Sequence, residues 1–193
     1  MKKITILSTA ILMAFCSSIY PQSASIDKYK GNWDFETSES KLTFKIGNMF
    51  IFNVKGEMPI INGFFKNGDH PKIKALINVS LIETGINKRD NHLKSEDFFY
   101  TEKYPQIEFS SNQVSKNSID NGYEYQAKGK LKIRGIEKEE TVFFNIESLS
   151  NSEISIIGEA KINRLDYEVD HQMAGMDDVA TVKFEVKGIL QKE

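Results

Sequence analysis

Apolar and polar residues alternate with a period of two along much of this chain. In the longest example, Tyr123 to Arg134, apolar residues and glycine occupy one set of alternate positions, and charged or amide residues occupy the other. Shorter stretches of the same kind begin at Leu42, Ile73, Val142, Ile154 and Ala180. A strand with one apolar face and one solvated face produces this alternation. The pattern therefore predicts a sheet of long, one-sided strands.

Short turn signals separate the predicted strands, and the clearest are Asn121-Gly122 and Asn151-Ser152. Turns this short join neighbouring strands of an antiparallel sheet. Long one-sided strands in a chain of 193 residues favour closure of the sheet into a barrel, because closure removes exposed strand edges. The predicted fold class is therefore all-β, with an antiparallel barrel as its architecture.

One segment, Asn87 to Phe99, has a strong helical signature. Asn87 is expected to cap its start, because an asparagine side chain can accept a hydrogen bond from a free backbone N–H of the first turn. Leu93 and Phe98 supply an apolar face, and Pro105 ends the connecting segment before the next strand. A short helix between two barrel strands is expected to lie across the barrel opening as a lid.

Small residues recur on the apolar faces of the predicted strands, notably Ala127, Gly129, Gly158 and Ala160. Two interpretations remain open: the strands bend sharply at the glycines, or the small side chains leave space for a ligand. None of the alternating apolar faces carries a charged residue, so such a space is expected to be apolar throughout. The residues expected to line it are Phe44, Ile46, Ile77, Val79, Leu93, Phe98, Phe99, Phe109, Tyr123, Tyr125, Ala127, Gly129, Leu131, Phe144, Ile146, Gly158, Ala160, Val182 and Phe184.

The first residues have the layout of a secretory signal peptide. Two lysines at positions 2 and 3 precede an apolar run from Ile4 to Phe15, and small residues follow. The run is too short to span a bilayer as a stable helix, so no membrane span is predicted. We expect a signal peptide over residues 1–24, with cleavage between Ser18 and Ser25, and a single domain over residues 25–193. The mature protein would then be periplasmic or secreted.

Cys16 is the only cysteine in the chain. A lipoprotein anchor would place a small residue before the modified cysteine, and Phe15 stands there instead. We therefore favour removal of Cys16 with the signal peptide over its lipidation. Without a cysteine the mature domain has no disulfide and no thiol chemistry, so packing alone must stabilise it.

The charge balance gives no electrostatic footprint for nucleic acid, because 25 basic residues meet 27 acidic ones and the formal net charge is −2. A hydrophobic fraction of 40% is ordinary for a globular domain with its own core. The sequence is compatible with a homodimer, and no interface is evident in it.

The most charged stretch, KRDNHLKSEDFFYTEKYP, begins at Lys88 and contains His92 close to Asp90. A histidine near a carboxylate can act as a general base. No G-x-S-x-G nucleophile motif accompanies it, and the mature chain has no cysteine, so catalysis is a weak interpretation. The favoured interpretation is structural: Arg89 and Asp90 fix the short helix to strand ends through charge-assisted hydrogen bonds.

Metal binding is the weakest interpretation of this stretch. The chain has three histidines, and none of them pairs with another at i, i+4. A site would require His92 and His171 to converge in the fold together with a carboxylate. The sequence therefore predicts neither a metal nor a cofactor.

The segment TGINKRDNHLKSEDFFYTEKYPQIEFSS, Thr84 to Ser111, resembles the hallmark of the YceI-like family. That family's pattern runs T-G, R-D-x-H-L, D-F-F, K-Y-P and then a strand with F-x-S, and these elements are present here in order. GKLKIRGIEKE, Gly129 to Glu139, is similar to the family's G-x-L-x-I-x-G-x-x-K stretch, and Arg164 stands for its late arginine. The resemblance extends from about Trp33 to Leu190.

The resemblance implies a lipocalin-like antiparallel barrel of about eight strands. It also implies a lumen that holds a long apolar chain, such as a polyisoprenoid or the tail of a quinone, and no catalysis. A polar head group would then sit at the mouth, within reach of Arg89, Asp90 or His92. The expected function is an extracytoplasmic carrier or scavenger of such lipids. The alternatives are an enzyme that uses His92 as acid or base on a lipid-like substrate, and a solid-core structural or stress protein.

Overall fold

Strands make up most of the computed structural model, which describes residues 26–48, 52–170 and 175–192. The strands are β1 (Gly31–Asn48), β2 (Phe52–Met58), β3 (Ile60–Asn67), β4 (Lys72–Asn78), β5 (Gln106–Lys116), β6 (Tyr125–Ile133), β7 (Ile136–Ser148), β8 (Glu153–Asn163) and β9 (Val179–Leu190). One α-helix, α1 (Asn87–Lys94), lies between β4 and β5, and 3-10 helices cover Ile26–Tyr29, Val79–Leu81 and Arg164–Tyr167. The expected signal peptide, Cys16 and His171 lie outside the described residues.

The strands form one sheet of nine in the order β2-β1-β3-β4-β5-β6-β7-β8-β9, which closes on itself because β1 also pairs with β9. β2 and β3 share one edge of β1: β3 pairs with Gly31–Asp34, and β2 pairs with Leu42–Asn48. The barrel wall is therefore built from eight strands, and β2 is an extra strand beside it. The predicted lipocalin-like antiparallel barrel is confirmed.

The period-two alternation decides which side chains enter the core. On β6, Tyr125, Ala127, Gly129, Leu131 and Ile133 are buried, whereas the lysines between them are exposed. Removal of the apolar side chains from water stabilises the barrel by roughly 25 cal/mol for each Å² that is buried. Because successive residues of a strand point to opposite sides, one sequence pattern builds both the core and the solvated surface.

One end of the barrel is plugged by the 3-10 helix Ile26–Tyr29. The Tyr29 hydroxyl donates a hydrogen bond to the Ile146 carbonyl at 2.6 Å, and the Trp33 indole N–H donates to the Tyr29 carbonyl at 2.9 Å. Both rings are buried. The Asn67 side-chain amide donates to the Ile26 carbonyl at 2.6 Å, so the start of the helix is also fixed to β3.

The opposite end is covered by the residues between β4 and β5. Helix α1 is shorter than predicted: it ends at Lys94, where Ser95 caps it, and residues 95–105 continue as turns. The prediction that Asn87 caps the helix is wrong, because Ile86 holds the cap position and Asn87 is already helical. Beyond the helix, Phe98 is buried, and its carbonyl accepts a hydrogen bond from the Arg134 guanidinium.

Arg89 and Asp90 hold the start of α1 through Thr84. Asp90 accepts hydrogen bonds from the Thr84 hydroxyl and, at 3.0 Å, from the Thr84 backbone N–H. The Arg89 guanidinium donates to the Thr84 hydroxyl at 2.7 Å and to the Thr84 carbonyl at 2.8 Å. The adjacent Glu83 is joined to Glu57 of β2 by two backbone hydrogen bonds. Both side chains make charge-assisted hydrogen bonds, but their partner is Thr84 in the same segment and not the strand ends that the sequence analysis expected.

The seam between β7 and β8 is hydrogen-bonded along only part of its length. The two strands pair from Phe143–Ser148 of β7 to Ile154–Glu159 of β8. Toward the covered end, residues 136–142 of β7 pair with β6, and residues 160–163 of β8 pair with β9. Among these described residues no backbone pairing joins β7 to β8, so the two strands diverge there.

Candidate functional site

The barrel encloses a cavity with a volume of about 180 Å³. A single buried water needs roughly 10–15 Å³ on this measure, so the space is much larger than a packing defect. All nine strands contribute to its wall, together with Phe99 from the residues that cover the barrel end. The surface of the cavity is entirely apolar, and the charged residues among its lining, Glu140 and Arg164, contribute only carbon atoms to it.

About half of the predicted lining residues lie in this wall, and their contact with a ligand stays a prediction. They come from seven of the barrel strands and from the segment after α1. These residues are Phe44, Ile77, Phe99, Phe109, Ala127, Leu131, Phe144, Ala160, Val182 and Phe184.

Other predicted lining residues are packed away from the cavity wall. Tyr125 and Ile146 lie toward the plugged end, where the Tyr29 hydroxyl binds the Ile146 carbonyl. Ile46 is buried where β1 pairs with β2, opposite Val54. The remaining residues of this kind, which belong to the segment between β4 and β5, are Val79, Leu93 and Phe98.

The small inward residues divide into two kinds. Ala127 and Ala160 line the cavity, as expected for residues that leave space. A Cβ atom at Gly129 would instead overlap the backbone of Ser110 and Ser111, and one at Gly158 would overlap the ring of Phe184. The glycines are therefore required for close approach of neighbouring groups, and the prediction that they line the space is corrected. Tyr123, also predicted to line it, lies at an outer groove.

The surface of the lumen is apolar, as expected, although one acidic residue, Glu140, stands in its wall. This residue is on the same face of β7 as Val142 and Phe144, two and four positions further along. The alternation of β7 therefore brings an acidic residue into the wall, with its carbon stem toward the lumen. The spacing of Glu140 from Val142 and Phe144 indicates an inward position. The run of charged residues that it belongs to, EKEE, is instead typical of a solvated strand end.

Glu140 is paired with Tyr167 inside the wall. The Tyr167 hydroxyl donates a hydrogen bond to the Glu140 carboxylate at 2.9 Å, and the Tyr167 side chain is fully buried. Burial raises the pKa of the Glu140 carboxyl above its ordinary value, and the negative charge of Asp166 adds to the increase. The Tyr167 hydrogen bond and the charge of Lys138 act in the opposite direction. Burial, together with the hydrogen bond to Glu140, also raises the pKa of the Tyr167 phenol.

Arg164 is the second charged residue of the wall. Its guanidinium binds residues on both sides of positions 171–174. The side chain is only 11% exposed. Its guanidinium donates to the Asp177 carbonyl at 3.0 Å and to the Val169 carbonyl at 3.1 Å, and it forms an ion pair with Asp170 at 2.8 Å. Arg164 therefore holds together the chain on either side of residues 171–174, which lead into β9.

The residues expected at a pocket mouth do not line the cavity. Arg89 and Asp90 are engaged with Thr84, as described above. The His92 side chain is 43% exposed, with its Nε2 atom 3.4 Å from the Asp97 carboxylate and its ring against the edge of Phe98. His92 is thus outside the cavity, on the surface of the covering segment.

The described ranges contain no group of three or more histidine, cysteine, aspartate or glutamate side chains that could hold a metal ion. His171, one of the two histidines considered for such a site, lies outside those ranges. None of the helices in the described ranges is both long and apolar enough to cross a membrane.

A closed antiparallel barrel with an apolar lumen, plugged at one end and covered at the other, is the architecture of lipocalin-like proteins. The chain belongs to the YceI-like family, because residues 33–188 match the YceI-like domain. It is 33% identical over 153 residues to UPF0312 proteins of Staphylococcus aureus, an alignment that covers 74% of this chain and 85% of theirs.

Solved structures show the same fold. BcnA of Burkholderia cenocepacia superposes with a TM-score of 0.70 at 19% identity, over 80% of this chain and 99% of that one. A polyisoprenoid binding domain from Saccharophagus degradans gives a TM-score of 0.67 at 14% identity, over 84% of this chain and 100% of that one. The YCEI protein of Campylobacter jejuni gives 0.63 at 26% identity, over 74% of this chain and 88% of that one.

Proposed function

We propose that the protein binds a long apolar chain of the isoprenoid type in the barrel lumen and acts as its carrier or scavenger outside the cytoplasm. The observation that carries the proposal is the cavity of about 180 Å³ enclosed by the strands of the barrel. The Saccharophagus degradans domain with the same fold is described as polyisoprenoid binding, which supports this class of ligand. A solid-core barrel would leave the cavity unexplained.

Burial of the chain supplies the affinity. Each methylene that moves from water into an apolar lumen gains roughly 0.8 kcal/mol. Several isoprene units therefore offset the loss of translational and conformational freedom on binding. The cavity wall also contains aromatic side chains, such as Phe44, Phe109 and Phe144, which give a methyl-branched chain large flat surfaces to pack on.

A substitution that fills the lumen tests the proposal. Ala160 lines the cavity, so Ala160→Phe places a ring in the space that the chain would occupy. We expect the thermal midpoint to stay unchanged or rise, because a cavity accepts the ring, and binding of a radiolabelled prenyl alcohol to be lost. Lys128→Phe, at an exposed position of β6, is the control for an added ring. Unchanged prenyl alcohol binding by Ala160→Phe would contradict a ligand in the lumen.

The extracytoplasmic part of the proposal depends on the amino-terminal sequence. Lys2 and Lys3 followed by the apolar run to Phe15 have the composition of a signal peptide. Amino-terminal sequencing of exported material should therefore give a start after Ser18 and no later than about Ser25. An intact Met1, or a lipid attached to Cys16, would contradict it.

An enzyme that acts on a lipid-like substrate is the second candidate, and the placement of its key residue weakens it. His92 was the expected acid or base, and it lies outside the cavity on the covering segment. A His92→Ala variant that keeps prenyl alcohol binding would leave the binding function intact. Turnover of a bound lipid that depends on His92 would support the enzyme instead.

A further inference from the structure

At the seam between β7 and β8, the lumen lies directly beside an outer groove. An outer groove runs along this seam beneath the β5–β6 loop, and its lining includes Tyr123, Thr141 and Phe143. Glu140 and Ala160 line both this groove and the lumen cavity. They lie where β7 and β8 stop pairing, which is where a sheet wall can be open. Because the lumen surface is apolar and the groove surface is partly polar, the carbon stem of Glu140 faces the lumen and its carboxylate belongs to the groove side of the seam.

Two side-chain contacts bridge the diverging strands. Tyr167, in the 3-10 helix that follows β8, donates to Glu140 at 2.9 Å. Lys138 of β7 forms an ion pair with Asp166 of the same 3-10 helix, with 3.4 Å between Nζ and the carboxylate. Side chains thus replace the missing backbone pairing, and such contacts can be exchanged for contacts with a ligand more readily than a β-ladder can.

Glu140 has an accepting atom to spare. Tyr167 hydrogen-bonds to Oε1, and within the described part of the chain no hydrogen bond is made to Oε2. A carboxylate offers about four lone-pair sites, so it can accept a further O–H donor without losing Tyr167. The groove also disfavours an anionic group, because three acids, Glu139, Glu140 and Glu159, line it against one lysine, Lys161.

We propose that Glu140 accepts a hydrogen bond from the hydroxyl group of a hydroxyl-terminated isoprenoid-like chain, whose apolar part occupies the lumen. This rests on the proposed function and narrows its ligand class. It also places the polar end of the ligand at the β7–β8 seam, rather than beside Arg89, Asp90 and His92. The site selects against a phosphate ester of the same chain, which is anionic, and against an ether, which has no proton to donate.

The test uses the mature protein and three probes that share one hydrocarbon chain: farnesol, farnesyl methyl ether and farnesyl monophosphate. We expect wild type to bind farnesol at least about tenfold more tightly than either of the other two, the effect of one hydrogen bond to a charged group. Glu140→Leu should bind farnesol and the ether equally. Glu140→Gln keeps an accepting oxygen but has no charge. It should still bind farnesol more tightly than farnesyl methyl ether, and it should lose most of the preference for farnesol over farnesyl monophosphate.

Glu147→Leu is the matched control, because Glu147 is an exposed acid of β7 that lines neither the groove nor the lumen. It should behave like wild type with all three probes. If Glu140→Leu does not fold, Glu140→Gln alone decides, through its changed discrimination against the phosphate. Equal affinity of wild type for all three probes would overturn the role of Glu140 and leave the lipid-binding function standing. Failure of wild type to bind any probe would overturn both.

Discussion

The Tyr167 hydroxyl lies 2.9 Å from the Glu140 carboxylate, across the part of the barrel wall where β7 and β8 no longer pair. The position of each residue is set by the secondary structure of its own segment. Glu140 continues the inward face of β7, and Tyr167 ends the 3-10 helix that turns away from β8. Their contact therefore joins two strands that the backbone leaves apart.

Removal of the Tyr167 hydroxyl should weaken this connection. We predict that Tyr167→Phe lowers the free energy of unfolding by about 1–3 kcal/mol, the range for a lost hydrogen bond to a charged group. Tyr123→Phe is the control, because within the described chain the Tyr123 hydroxyl makes no hydrogen bond, and it should change stability by less than about 0.5 kcal/mol. Urea unfolding of both variants measures the difference, and equal losses would contradict the prediction.

The raised pKa of Glu140 predicts a pH-dependent effect of Glu140→Gln. A carboxyl whose pKa is raised on folding contributes stability that is complete below its unfolded pKa and is lost as the pH rises through the folded pKa. The stability of Glu140→Gln relative to wild type should therefore increase between about pH 4 and about pH 7. Urea unfolding across this range measures it, with Glu139→Gln as the control for loss of one acidic charge. A stability difference between Glu140→Gln and wild type that does not vary with pH would contradict the raised pKa of Glu140.

Gly129 should tolerate no side chain, even though it lies on an inward face. A Cβ atom there would overlap the backbone of Ser110 and Ser111, which cannot move aside as a side chain can. We predict that Gly129→Ala costs about 1–3 kcal/mol or more in the free energy of unfolding. Gly68→Ala is the matched control, because no heavy atom lies within 4 Å of the added carbon, and its effect should stay within about 0.5 kcal/mol. A neutral Gly129→Ala would show that space exists there after all.

The Thr84 contacts of Asp90 should matter more for stability than those of His92. Asp90 is buried and accepts two hydrogen bonds from Thr84, so Asp90→Ala should cost about 1–3 kcal/mol. His92 makes an exposed contact with Asp97, so His92→Ala should cost less than about 1 kcal/mol. Thermal or urea unfolding of the two variants gives the comparison. The reverse order would assign His92 a structural role that its exposure does not explain.

The strands and their faces could be predicted from the sequence because the period-two pattern is local. The alternation over Tyr123 to Arg134 identified the buried side of β6 residue by residue. The function of an inward glycine could not be predicted in this way. Whether Gly129 opens a space or admits a neighbour depends on the backbone of β5, which faces it through a register shift between Ser111 and Gln113.

The polar part of the site was missed for a related reason. Glu140 has the right parity for the inward face, but its neighbours are charged, and a run of charges at a strand end is ordinarily solvated. Its burial depends on Tyr167, which is 27 residues away in the chain. The sequence analysis predicted charge-assisted hydrogen bonds for Arg89 and Asp90 but expected strand ends as their partners, whereas the partner is Thr84, five and six residues earlier in the same segment.

The most direct test of a lipid-filled lumen is mass spectrometry of the organic extract from the purified, exported protein. Wild type and Ala160→Phe should be prepared in parallel, because Ala160 is buried and lines the cavity that the added ring would fill. We predict that wild type yields an isoprenoid-type lipid with a terminal hydroxyl, and that Ala160→Phe yields little or none. An extract of wild type that contains no such lipid and does not differ from that of Ala160→Phe would contradict the central claim.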